Sequence, residues 1–344
     1  MMFSSTYFRL VSVACFSLFL AACSSGSSES ASSSEVSLRF SDAPVDDVSS
    51  VVITVDQIIF NRAGANEDII VDTFTSDELG IEDADIFTID LLGVQGNDNR
   101  LVLDSVMLPV GEYQNMRLVI LDEDINNSYV DDNDGRKNIK VPSDQLKLGA
   151  FTVGGQSSQT FVVEFGLRQA MTYNPGPDRY ILKPRGVRVV RLENASSVAG
   201  TVDLAAIHIL DGCSDKVDVS VGNVAYLYAG HNLDTSLLGD VFIREDDDQD
   251  DPEVDEDVAA NIIAPAVATA IDDNGDGTGG FLFSYLDTGD YTLAISCKAE
   301  NDDPVIYDGI SIPLPDAQLI ELALASEVDL QCDFPVAGDC LVNE

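Results

Sequence analysis

Val36-Ser-Leu-Arg-Phe40 decides the fold. Val36, Leu38 and Phe40 are apolar and alternate with Ser37 and Arg39. A period of two puts one set on a buried face and the other toward solvent, which is the signature of a half-buried strand. Moving outward, the same alternation recurs in Val51, Ile53 and Val55 set against Val52, Thr54 and Asp56. It returns in Phe87, Ile89 and Leu91, and again in Met116, Leu118 and Ile120. Phe161-Val-Val-Glu-Phe165 and Val187-Arg-Val-Val-Arg191 complete the series. Ser41-Asp-Ala-Pro44 is expected to end the first strand, and Tyr129-Val-Asp-Asp-Asn-Asp-Gly135 to form a hairpin tip. Asp42, Asp46, Asp47 and Asp56 are read as turn and solvent-facing acids rather than as a carboxylate site. Short alternating runs punctuated by Gly, Pro, Asn and Asp predict antiparallel β-sandwich or barrel structure, and no stretch carries a long amphipathic helix.

Beyond residue 195 a second series begins with Ser197-Val-Ala-Gly-Thr-Val202 and Asn223-Val-Ala-Tyr-Leu-Tyr228. Gly280-Phe-Leu-Phe-Ser-Tyr285, Tyr291-Thr-Leu-Ala-Ile-Ser296 and Gln318-Leu-Ile-Glu-Leu-Ala-Leu324 follow, and Ala205-Ala-Ile-His-Ile-Leu210 also reads as a strand. Leu108-x-x-Gly111-x-Tyr113 and Leu286-x-x-Gly289-x-Tyr291 share their spacing. In each, Gly turns the chain and Tyr opens the next strand with its hydroxyl free for a local acceptor. The fold class is therefore all-β: two tandem antiparallel β-sandwich domains behind an export signal and a flexible tether. The expected boundaries are a signal over 1–22, a Ser-rich tether over 23–34, sandwiches over 35–192 and 195–331, and a C-terminal tail over 332–344.

Three resemblances extend this reading. Arg9, the apolar run Leu10 to Ala22 and then Leu20-Ala-Ala-Cys23 resemble the signal and lipobox of bacterial lipoproteins. That resemblance implies cleavage before Cys23, acylation of Cys23 and a mature chain of about 322 residues (344 minus 22). Ser24 after the cysteine implies the outer membrane. Leu38-Arg-Phe-Ser-Asp-Ala-Pro44, Ile89-Asp-Leu-Leu92, Leu108-Pro-Val-Gly-Glu-Tyr113, Val141-Pro-Ser143 and Tyr180-Ile-Leu-Lys-Pro184 stand in an order that resembles domain-of-unknown-function family 4382 of bacterial lipoproteins. The family's usual Ile in the last strand gives way to Gly186-Val187 here. The family has no established activity, so it implies a fold and a location. Gly280-Phe-Leu-Phe running into Leu286-Asp-Thr-Gly-Asp-Tyr291 resembles transthyretin-like domains of the carboxypeptidase-regulatory type, which implies a binding or spacing module.

The formal net charge is −42, and residues 193–344 hold 33 acids against Lys216, Arg244 and Lys298. Nucleic acid is excluded as a partner by that sign. Ten of the thirteen residues from Glu245 to Asp257 are acidic, which predicts a solvated loop. Asp272, Asn274 and Asp276 occupy the first, third and fifth positions of a D-x-N-x-D-G calcium loop, but Phe283 stands where its twelfth-position Glu belongs. A weak calcium site and a polar hairpin turn both fit. Cys213, Cys297, Cys332 and Cys340 remain after export, and strand ends and spacing predict Cys213–Cys297 and Cys332–Cys340 disulfides. His208 and His231 stand in no triad or zinc pattern. The expected role is a membrane-anchored, non-catalytic binding or structural module for a protein or glycan. The alternative is an envelope hydrolase using paired carboxylates.

Overall fold

The Val36/Leu38/Phe40 alternation is realised as a strand over Ser33–Ala43, with those three side chains fully buried. The strand ends at Ala43, inside the expected Ser41-Asp-Ala-Pro44 phrase. It runs through Ser41 and Asp42 because both polar side chains find partners: Ser41 Oγ donates to the Asp98 carbonyl at 2.7 Å, and Gln95 Nε2 donates to Asp42 Oδ2 at 3.3 Å. This computed structural model describes residues 32–43, 48–242, 261–300, 302–304, 307–335 and 340–343.

The first half builds two sheets. A four-stranded sheet runs in the order Val187–Arg191, Ser158–Gly166, Ser33–Ala43, Arg100–Pro109. A ten-stranded sheet is centred on Val48–Arg62, which pairs with Gly111–Ile120 and Tyr129–Asp132. One apolar core lies between them, and in it Phe40 meets Phe165 at 5.3 Å and Phe87 at 5.7 Å. Val51 to Val55 are all buried, so the expected solvent face of Val52 and Thr54 is covered. Thr54 is satisfied there by donating to the Asn127 carbonyl at 2.7 Å. Tyr129–Asp132 and Gly135–Lys140 form the anticipated hairpin.

The second half builds a five-stranded sheet from Asp272–Asp273, Thr278–Leu286, Ser196–Asp203, Asp329–Gln331 and Leu341–Val342. A four-stranded sheet of Val267–Ala270, Val224–Ala229, Gly289–Ser296 and Leu319–Leu324 shares a core with it.

Three expectations need correction. The sheets are mixed rather than wholly antiparallel: Ser33–Ala43 with Ser158–Gly166, Gly135–Lys140 with Arg179–Leu182, and Ser196–Asp203 with Asp329–Gln331 are parallel pairs. Parallel neighbours need a long crossover, which the chain supplies in each case. Ala205–Leu210 is not a strand but lies mostly in a helix, Leu204–His208, started by Asp203, whose carboxylate accepts the Ala206 amide at 2.9 Å. The segment after Cys332 is not a bare tail, since Phe334 is buried and Leu341–Val342 pairs with Asp329–Gln331. Among the described residues no helix is long and apolar enough to cross a membrane.

Candidate functional site

On Ser158–Gly166, Phe161, Val163 and Phe165 enter the first core, so Val162 and Glu164 point to the opposite face of the small sheet. That face is covered by the second half: Val162 and Val190 pack with Tyr285. Glu164 stands opposite Ser41 on one neighbouring strand and Arg188 on the other. Arg188 Nη2 lies 4.0 Å from Glu164 Oε1 and donates to the Ser284 carbonyl at 3.1 Å. Tyr285 Oη donates to the Asn97 carbonyl at 2.5 Å and accepts from Asn99 Nδ2 at 2.7 Å. Ser284 Oγ donates to Asn97 Oδ1 at 2.9 Å. A β-bulge makes this possible. The register jumps from Ser196↔Leu286 to Val198↔Phe283, and Tyr285 takes a φ of 49°. Such a bulge re-aims a side chain away from its own sheet's core.

The electrostatics of this junction follow from enclosure. Burial pushes the Glu164 carboxyl up to about 7, while Arg188 and the Ser41 hydroxyl draw it back. Burial also holds Asp42 well above the usual carboxylate range, against its hydrogen bond from Gln95. Among the described residues, Glu164 Oε2 and Asp42 Oδ1 have no hydrogen-bond partner.

A second group of acids ties down loops of the second half. Asp240, raised to about 6 by burial, accepts the amides of Phe242, Asp308 and Gly309 at 3.1, 2.9 and 3.2 Å. Asp302, also raised by burial, accepts the Tyr226 hydroxyl at 2.7 Å and the Val241 amide at 3.2 Å, with Arg168 Nε at 3.8 Å.

Asp272, Asn274 and Asp276 lie on the hairpin between Asp272–Asp273 and Thr278–Leu286. Asp276 Oδ1 accepts the Thr278 amide at 3.0 Å and hydroxyl at 2.6 Å, and Asn274 Nδ2 donates to Thr278 Oγ1 at 3.1 Å. Gly275 and Gly277 supply the positive φ the turn requires. Among the described residues no three or more His, Cys, Asp or Glu side chains gather as a metal site. Both disulfides join the anticipated partners, with Cα separations of 6.1 Å for Cys213–Cys297 and 4.4 Å for Cys332–Cys340. His208 Nε2 contacts Asn223 Oδ1 at 3.1 Å, and His231 Nε2 contacts the Leu322 carbonyl at 2.9 Å. The repeated Leu-x-x-Gly-x-Tyr phrase has one geometry in both places: Tyr113 and Tyr291 donate to the carbonyls four residues earlier, of Pro109 and Asp287, at 2.9 and 3.0 Å. Cys23, Asp46, Asp47 and the acidic run from 245 to 257 lie outside the described residues.

Residues 33–184 match the family model of a domain of unknown function, DUF4382. The DUF4382 segment thus contains Asp42, Asn97, Asn99 and Glu164, and ends before the strand that carries Arg188. No curated protein matches the sequence. Among solved structures the chain is similar to the fimbrial anchor protein Mfa2 of Porphyromonas gingivalis, at 9% identity and a TM-score of 0.20, covering 87% of this chain and 90% of that one. A putative adhesin from Bacteroides ovatus matches at 8% identity and a TM-score of 0.18, covering 85% and 82%. The Bacillus anthracis TIE protein matches at 11% identity and a TM-score of 0.17, covering 88% of this chain but 33% of its own length, so this chain spans about a third of it. At such TM-scores nothing about function passes from these proteins to this chain.

Proposed function

We propose that the chain is a lipid-anchored protein of the cell envelope, held at the outer membrane, that acts as a non-catalytic binding or structural module. The observation that carries this reading is the enclosure of the three acids whose carboxyls are raised furthest, Asp42, Glu164 and Asp240. Glu164 is 1% exposed, and Asp42 and Asp240 are 0% exposed. Raised carboxyls often mark catalytic acids, but a hydrolase needs two of them facing one substrate across an open cleft. Here they are closed off by packed sheets, and Asp240 and Asp302 accept loop amides. The two histidines are likewise taken up by Asn223 and Leu322. Calcium at Asp272, Asn274 and Asp276 is not needed, since the Thr278 turn occupies Asp276 Oδ1.

Anchoring is supported by Leu20-Ala-Ala-Cys23 and the serine-rich stretch after it. Several acyl chains would hold the protein on a bilayer where one chain binds only reversibly. The test is the mass of the mature N-terminal peptide from native envelopes, read beside the fractionation of a Cys23→Ser variant. The reading expects an acylated Cys23 and release of the variant from the outer-membrane fraction. An unmodified N-terminus at another residue overturns it.

A further inference from the structure

Residues 209–222 connect the Leu204–His208 helix to the Val224–Ala229 strand. Four large aliphatic side chains on this loop face solvent: Ile209 is 78% exposed, Val217 100%, Val219 44% and Val221 48%. Single exposed aliphatics are ordinary, but these are four of the eleven exposed large hydrophobics among the described residues, gathered on one short loop. Val217-Asp-Val-Ser-Val221 alternates as a strand would, yet it pairs with no described strand.

The loop backbone is nevertheless fastened. Cys213 is joined to Cys297. Lys216 Nζ reaches the carbonyls of Val221 and Cys297 and lies 2.9 Å from Glu300 Oε1. Asp218 Oδ1 accepts the Ser220 amide at 3.0 Å and hydroxyl at 2.7 Å, and Asn223 Nδ2 donates to the Val219 carbonyl at 2.9 Å. Valines held outward on a fixed backbone lose little freedom on docking, which lowers the cost of binding.

Charge selects the occupant. Asp211, Asp215 and Asp218 interleave with the aliphatics, and the nearby cations are already committed, Lys216 to Glu300 and Lys298 to Asp215 at 2.6 Å. An anionic lipid surface or a nucleic acid is repelled by this loop, whereas a basic protein rim is attracted. We propose that the 209–222 loop is a docking element for a partner protein that offers an apolar groove rimmed by Lys and Arg. This rests on the reading of the chain as a binding module and names the class of partner.

The test is photo-crosslinking of the full-length protein in its native envelope, with a benzophenone side chain placed at position 217, at position 219, or at 107 on another surface. Met107 is 61% exposed, so access is comparable. The expected result is one discrete protein adduct from 217 and 219 but not from 107. Its crosslinked peptide should be apolar and flanked by Lys or Arg, and its yield should fall at high salt. Introducing Val219→Asp beside the probe at 217 should abolish the adduct, although added negative charge would strengthen a purely electrostatic contact. Adducts to lipid, to a second copy of this chain or to a groove without basic residues overturn the proposal. A discrete protein adduct from 107 alone overturns it while leaving the binding-module reading standing, and absence of any adduct at all three positions counts against both.

Discussion

Glu164 shows how a single residue carries the cost of joining the two halves. Its carboxyl is enclosed between the small sheet and the Ser284–Tyr285 bulge, and its pKa rises to about 7 from an ordinary 4.5. A group whose folded pKa is raised binds its proton more tightly in the native state, so its contribution is fully present below about pH 4.5 and is lost as the pH rises through about 7. The full span is on the order of 3 kcal/mol. Glu164→Gln removes the titration while keeping the shape. Urea denaturation at pH 5 and pH 8 should show the variant losing less stability between the two pH values than the wild type; an identical loss in both would assign the dependence to other carboxyls, such as Asp42 or Asp240. The sequence offered one hint of this residue, a lone acid in the apolar run Phe161-Val-Val-Glu-Phe165. It could not say that the outer face would be covered, because alternation reports a polar side and not what packs on it.

At the scale of elements, the turns and staples were readable and the pairings were not. The strand that ends at Cys297 and the close spacing of Cys332 and Cys340 located the two disulfides, although Cys213 follows the Leu204–His208 helix rather than the strand expected there. The shared Gly-x-Tyr spacing located two turns that carry the chain from one sheet to another with the same tyrosine hydrogen bond. The two disulfides should differ in worth. Cys213–Cys297 closes a separation of 84 residues, so replacing both cysteines by serine should cost several kcal/mol, about 2–5. Cys332–Cys340 closes a separation of 8 and should cost less, although it also holds the Leu341–Val342 strand against its sheet. Thermal melts of the two double variants decide the order. Parallel pairing escaped the sequence because a strand between Ser33 and Ala43 alternates identically whichever way its neighbour runs. The Leu204–His208 helix escaped because Leu204, Ile207 and His208 form a helical face inside a stretch short enough to read with either period.

For the whole molecule, the described residues from 32 onward cluster as one compact unit, with the two halves in direct contact. Tyr285 bonds Asn97 and Asn99, Arg188 bonds Ser284, and Gln169 Nε2 donates to the Pro265 carbonyl at 3.1 Å. Each contact joins the DUF4382 segment, or the strand directly after it, to the second half. A module built this way would present the 209–222 loop in a fixed relation to the DUF4382 segment. Scanning calorimetry of the full-length protein with its disulfides intact tests this most directly. One endotherm, with calorimetric and van't Hoff enthalpies equal, is the predicted result. Two resolved endotherms, one for each half, would contradict it.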